Sequence, residues 1–374
     1  MRKIDSHLEN GFMLSKTNPK QVCLVEVSDY KRARKYLDHR NIKILKEYRF
    51  LNLFCIDATK NDVYDCAKMP FVKYIAHSSK VQSLCNVARK IMGVDGIDYN
   101  GKGICVAIID TGISPHLDFT LRKNRIIKFV DLVNDKSLPY DDNGHGTFVA
   151  GVLCGNGLMS FGKYSGFASD ANIISIKALD KNGEATATTI LDAVKWIYKN
   201  YKKYDIKVVC MSFGSEPLGH NDPIMRGAEK LWNCGITVVA AAGNSGPNYN
   251  TIKSPGISSK IITVGGFNDN RIGDTFNENF FEIAPFSSRG PAFSRIKPDV
   301  VAPSVDIVSC GRHSDYVTLS GTSVSAPMIA GICAIILQKY PQLRPDQLKK
   351  ILLQCSKGIT HNRNLEGMGY PVLK

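Results

Sequence analysis

Residues 104–112 read Ile-Cys-Val-Ala-Ile-Ile-Asp-Thr-Gly. An unbroken apolar run ends in a carboxylate, and the chain turns at once on Gly112. A run this short and this uniformly apolar fits a strand buried on both faces, as in a parallel sheet covered by helices. Similar runs recur at 173–179, 208–213, 236–242 and 261–264. Helical patterns lie among them: 186–203, with Ile190, Leu191, Val194, Ile197, Tyr198 and Tyr201 on one stripe, then 222–233 and 323–340. The alternation predicts an α/β fold with a mostly parallel sheet between layers of helices. Ligands in such folds sit beyond the C-terminal ends of the strands, where Asp110 stands.

Upstream the texture differs. Residues 20–27 and 71–77 are strand-like, 29–40 and 61–68 helix-like, and 42–50 and 51–58 read as two strands meeting near Asn52. The order βαββαβ predicts a small ferredoxin-like α+β unit. The chain is thus expected to divide into 1–84, with its core at 20–80, and 85–374.

Composition narrows the function classes. The chain has 374 residues, 44% of them hydrophobic, which supports a sizeable core and excludes a disordered or collagen-like chain. The apolar stretch 325–337 is shorter than the roughly 18 residues of a membrane span, and Asp5 and Glu9 interrupt any export signal near the start. The 11 cysteines show no C-x-x-C spacing, which speaks against a zinc ribbon and for a reducing, cytoplasmic compartment. The net charge is +14, and residues 1–80, with 16 Lys+Arg against 9 Asp+Glu, carry half of it. No run of five like charges and no nucleic-acid motif accompanies that charge, so a solvated basic face is favoured over a nucleic-acid partner. No membrane partner is expected either.

Three further segments join Asp110 in concentrating reactive side chains among glycines. Residues 143–151, Asn-Gly-His-Gly-Thr-Phe-Val-Ala-Gly, leave room around the ring of His145. Residues 238–247 end an apolar strand in Gly243-Asn244-Ser245-Gly246, where Asn244 is either a turn residue or an amide donor. Residues 320–327 set Ser323 at the start of an apolar helix, as a cap or as a nucleophile beside free N–H groups.

Taken together, in the order Asp, His, Asn, Ser, these segments resemble the subtilisin-like serine proteases (subtilases), the intracellular bacterial type in particular. Asp110-Thr111-Gly112, His145-Gly146-Thr147, residues 241–247, Phe286-Ser287-Ser288-Arg289-Gly290-Pro291, Lys297-Pro298-Asp299-Val300 and residues 321–327 carry the likeness, which covers about residues 85–358. Phe148 stands where the family usually has a second histidine, and Val324 where it often has methionine.

The resemblance implies a three-layer α/β/α fold and a serine endopeptidase acting on proteins or peptides, with no cofactor required for the chemistry. Asp110, His145 and Ser323 would form the catalytic triad and Asn244 the oxyanion hole. Ser212, Phe213 and Gly214 on one side, and Ala241, Ala242 and Gly243 on the other, would wall an open S1 pocket. That pocket holds no carboxylate, so an apolar P1 residue is expected unless a loop charge overrides it. Residues 20–80 are similar in pattern to the family's inhibitory propeptide, which implies a zymogen that cuts itself within 80–85. Structural calcium is the one ion implied. Asp118 falls where the family often has a calcium ligand, but 154–166 lacks carboxylates, so a surface turn residue is an equal reading. A silent protease fold used for binding is one rival function; a dedicated processing protease is a variant of the main one.

Overall fold

The computed structural model describes residues 3–4, 20–77, 86–273 and 275–373. The chain divides into two compact units, Met1–Val81 and Gln82–Lys374. The cut expected within 80–85 and the boundary after residue 84 lie outside the described residues.

The smaller unit runs β1 (Gln21–Val27), α1 (Tyr30–His39), β2 (Lys43–Tyr48), β3 (Leu53–Ala58), α2 (Lys60–Lys68) and β4 (Val72–His77). Its sheet order is β2-β3-β1-β4, antiparallel throughout. This is the expected βαββαβ arrangement. Local chemistry starts each helix. Asp29 accepts the Arg32 N–H ahead of α1, and Thr59 and Asp62 form a capping box at α2. Asn52 takes the left-handed conformation between β2 and β3, at φ 50°. Cys23, Val25 and Val27 alternate inward from β1 and meet Leu37, Phe54, Ile56, Val63 and Ile75 in one core.

The larger unit runs α3 (Asn86–Ile91), β5 (Cys105–Asp110), α4 (Leu117–Thr120), β6 (Ile126–Asp131), α5 (His145–Cys154), β7 (Asn172–Lys177), α6 (Ala187–Tyr204), β8 (Ile206–Met211), α7 (Pro223–Asn233), β9 (Thr237–Ala241), β10 (Ile262–Asn268), β11 (Glu282–Ile283), β12 (Val300–Pro303), β13 (Ile307–Cys310), β14 (Tyr316–Leu319), α8 (Thr322–Lys339) and α9 (Pro345–Gln354). The sheet runs β6-β7-β5-β8-β9-β10 in parallel, and β12 (parallel) and β11 (antiparallel) pair with β10. All six residues of β5 are buried. The strand order reverses at β5, which lies between β7 and β8. The crevice beyond its C-terminal end is therefore a topological switch point, and Asp110 is the last residue of β5.

Several elements go beyond the sequence expectation, among them β12, β13 and β14; three differences have a plain physical reason. β6 was not expected; its Ile127 and Lys128 are exposed, so the strand lacks the continuous apolar signature. α9 was not expected either: Pro345, Leu348 and Leu352 are buried and Ile351 and Leu353 pack against the same core, but Lys349 and Lys350 interrupt the apolar pattern. On α6 the buried face is Ile190, Ala193, Val194 and Ile197, while Tyr198 is exposed. α8 is apolar all round because it is enclosed: it packs against α5, β8, β9 and β10. By length and composition it is the one described helix that could cross a membrane, and 83% of that window is buried within the structure.

Candidate active site

Asp110 is buried, at 1% exposure, because β5 is enclosed to its last residue. Its Oδ1 accepts the Thr111 N–H at 2.8 Å and lies 2.7 Å from Nδ1 of His145. Among the described residues Oδ2 of Asp110 has no hydrogen-bond partner, and Oδ1 carries both the Thr111 N–H and the imidazole. Burial of the His145 ring works to lower its pKa. The charge and hydrogen bond of Asp110, helped by Asp141, outweigh burial and leave it raised.

Asp141 holds this pair in register and was not singled out from the sequence. Its carboxylate accepts from the N–H groups of Asn143, Gly144 and Thr147 and from the hydroxyls of Thr111 and Thr147. Burial works to raise its pKa, but these donors hold the carboxyl below the usual range. The Thr111 hydroxyl in turn accepts the Gly146 N–H at 2.8 Å. The start of α5 is thereby stitched to the end of β5. The glycine after His145 has a steric reason: a Cβ on Gly146 would lie 2.2 Å from the Gly112 carbonyl oxygen.

Ser323 is the second residue of α8, and His145 is the first of α5. The two helices pack against each other. Oγ of Ser323 and Nδ2 of Asn244 each lie 3.3 Å from the point where a Cβ on Gly321 would sit, so both groups face one small space. Thr322 fixes the Asn244 amide. Oδ1 of Asn244 accepts the Thr322 N–H at 2.9 Å and its hydroxyl at 3.0 Å. With Oδ1 occupied by donors, the NH2 group is left to donate toward the serine. The Thr322 hydroxyl also accepts the Gly243 N–H at 3.2 Å. Thr322 escaped the sequence reading because a threonine at a helix start looks like an ordinary cap.

The residues expected to wall S1 also come together. Lys253 N–H donates to Ala242 O, and Ser254 pairs with Ser215 through two backbone hydrogen bonds. Segments 212–216, 241–244 and 252–255 therefore form one enclosure. The open apolar pocket expected there is not what the structure shows. A Cβ on Gly214 would lie 2.7 Å from Cβ of Lys253, and one on Gly243 would lie 2.5 Å from its Cγ. The Lys253 stem thus occupies the gap between the two walls. Beside them a groove of about 460 Å³ is lined by Leu179, Ala187, Ile190, Phe213, Leu218 and Ile224, among others.

Asp118 is not a surface turn residue; it is fully buried. Its side chain accepts from the Tyr316 hydroxyl at 2.7 Å, the Met159 N–H at 3.0 Å and the Cys310 thiol at 3.6 Å. Calcium takes six to eight oxygen ligands. A phenol, a thiol and an amide N–H do not make that shell, and the expected ligand role of Asp118 does not fit its surroundings. His116, Asp118 and Cys310 lie close enough to suggest a metal group. Both ring nitrogens of His116 are engaged, however: Nδ1 accepts the Asp118 N–H and Nε2 bonds Asp315 O.

Comparison with known proteins shows the family. The subtilase family matches residues 101–369. Serine protease AprX of Bacillus subtilis is 43% identical over 298 residues, covering 74% of this chain and 66% of that protein, so the match spans about two-thirds of that relative's length. A thermostable alkaline protease of Halalkalibacterium halodurans is 26% identical over 342 residues, covering 90% of this chain and 86% of its own. Among solved structures, the S41 psychrophilic protease superposes with a TM-score of 0.68 at 25% identity, covering 79% of this chain and all of that one. The chain belongs to the subtilase family, the subtilisin-like serine proteases.

Proposed function

We propose that the chain is an endopeptidase that cleaves proteins or peptides by acyl transfer through Ser323. The observation that carries the reading is the Asp110–His145 hydrogen bond at 2.7 Å, made to a buried carboxylate, together with Asn244 and Ser323 facing one space. His145 takes the Ser323 proton as Oγ attacks the scissile carbonyl, then gives it to the departing amine. Water hydrolyses the acyl-enzyme by the reverse use of the same base. Asp110 holds the imidazole with Nδ1 protonated and stabilises the imidazolium. The Asn244 amide and the Ser323 N–H donate to the oxyanion. An extended substrate lies along the exposed edge at Gly214, adding a strand. Wild type and Ser323→Ala, given the same denatured protein, test the reading. Wild type is expected to digest it and the variant to leave it intact; equal digestion, or none by either, overturns the reading.

The smaller unit acts as an inhibitory propeptide, removed by the chain's own activity. Two observations support this. The unit has its own core and βαββαβ order. The aligned stretch shared with the alkaline protease is longer than Gln82–Lys374, so it reaches into this unit. Burial pushes the thiols of Cys23, Cys66, Cys105, Cys154 and Cys210 up to about 12, which keeps them protonated and inert; the scattered cysteines without C-x-x-C spacing are what support a reducing compartment.

A further inference from the structure

We infer that Lys253 and Glu216 set this protease's specificity, making the S1 pocket select an acidic P1 side chain. The inference rests on the proposed peptidase function and deepens it.

Gly214 and Gly243 stand on opposite walls, and the Lys253 stem fits between them only because neither bears a Cβ. The stem is held from below, since Lys253 N–H donates to Ala242 O and its neighbour Ser254 pairs with Ser215. The side chain is therefore part of the pocket and not a surface lysine lying across it. Its Nζ forms an ion pair with Glu216.

The two partners are not equivalent. The Lys253 side chain is 17% exposed and that of Glu216 is 80% exposed. Glu216 reaches in from solvent, where water and counter-ions can replace its partner at little cost. Lys253 cannot leave without vacating the gap between the walls. A P1 carboxylate entering from the substrate side can take the place of Glu216 on the ammonium, while Glu216 turns to water. A P1 lysine or arginine meets the fixed ammonium first and finds its carboxylate partner only at the rim. The stem also fills depth that a large aromatic P1 side chain would need. Glu216 is then a competitor built into the pocket, moderating the preference that Lys253 creates.

The test compares kcat/KM for four peptides differing only at P1: Glu, Gln, Lys and Phe. Wild type, Lys253→Gln, Lys253→Glu and Glu216→Gln are measured, each with active sites counted by fluorophosphonate labelling. Ratios within one variant cancel any loss of folded enzyme. Wild type is expected to favour Glu over Gln by roughly tenfold, in the range of a partly desolvated charge contact, and to disfavour Lys. Lys253→Gln brings the Glu-to-Gln ratio to about one, and Lys253→Glu turns the preference toward Lys. Glu216→Gln raises the Glu-to-Gln ratio several-fold. Added salt lowers the wild-type ratio. A wild type that labels normally but prefers Lys or shows no Glu-to-Gln difference overturns the inference alone, as does a ratio unmoved by Lys253→Gln. Absence of both labelling and cleavage in wild type overturns the peptidase reading and this inference with it.

Discussion

Thr322 and Asn244 are joined by two hydrogen bonds, both accepted by the same amide oxygen, at 2.9 and 3.0 Å. This pairing decides which way the amide faces, and so whether its NH2 group is available to a developing oxyanion. Asn244→Ala is expected to lower kcat by roughly 10²–10³-fold, a magnitude carried over from subtilisin. Thr322→Val keeps the shape and the N–H contact but removes one of the two donors. It is expected to lower kcat by about tenfold with little change in KM, measured on one peptide substrate.

The pH profile follows from His145. Catalysis needs its neutral form, and its pKa is raised because Asp110 outweighs burial. The acidic limb of kcat/KM should therefore lie above the ordinary histidine value. Asp110→Asn removes the charge and leaves burial, so the limb should move to lower pH, with a fall in kcat of roughly 10⁴-fold.

Gly146→Ala tests the steric argument at the base of α5. The added methyl would press on the Gly112 carbonyl and displace the residue next to it, His145. Since a displacement of about 1 Å can cost roughly 10²-fold in rate, kcat should fall by at least that factor. Circular dichroism would show whether the fold survives.

Asp118 ties the segment around Met159 to β14 through a buried carboxylate. Tyr316→Phe takes the short donor from Asp118 Oδ2 and leaves the Cys310 thiol at 3.6 Å, which should cost about 1–3 kcal/mol. Asp118→Asn turns an NH2 group toward other donors and should cost more. Thermal unfolding of both variants provides the check.

The fold was readable where burial is uniform. The run 104–109 announces β5, because a strand buried on both faces has no polar residues to disguise it; that β5 stands at the switch point shows only in the sheet order β7-β5-β8. β6 was hidden by Ile127 and Lys128, whose exposure breaks the pattern. At the site, Asp110, His145, Asn244 and Ser323 stand among glycines that leave a local mark. Asp141, Thr322 and Lys253 leave none, since each acts on a residue distant in sequence: Thr111, Asn244 and Glu216. The burial of Asp118 likewise depends on Tyr316, almost two hundred positions away.

Self-removal of the smaller unit is tested by mass. Wild type should accumulate a fragment lacking about 80 residues, and Ser323→Ala should remain one full-length chain. Identical masses would contradict processing by this site.

The most direct measurement is covalent labelling by a fluorophosphonate, with the modified residue located by peptide mapping. One adduct is expected, on Ser323, lost in His145→Ala and blocked by an excess of peptide substrate. No adduct on the folded wild type, or an adduct on a different residue, would contradict this expectation.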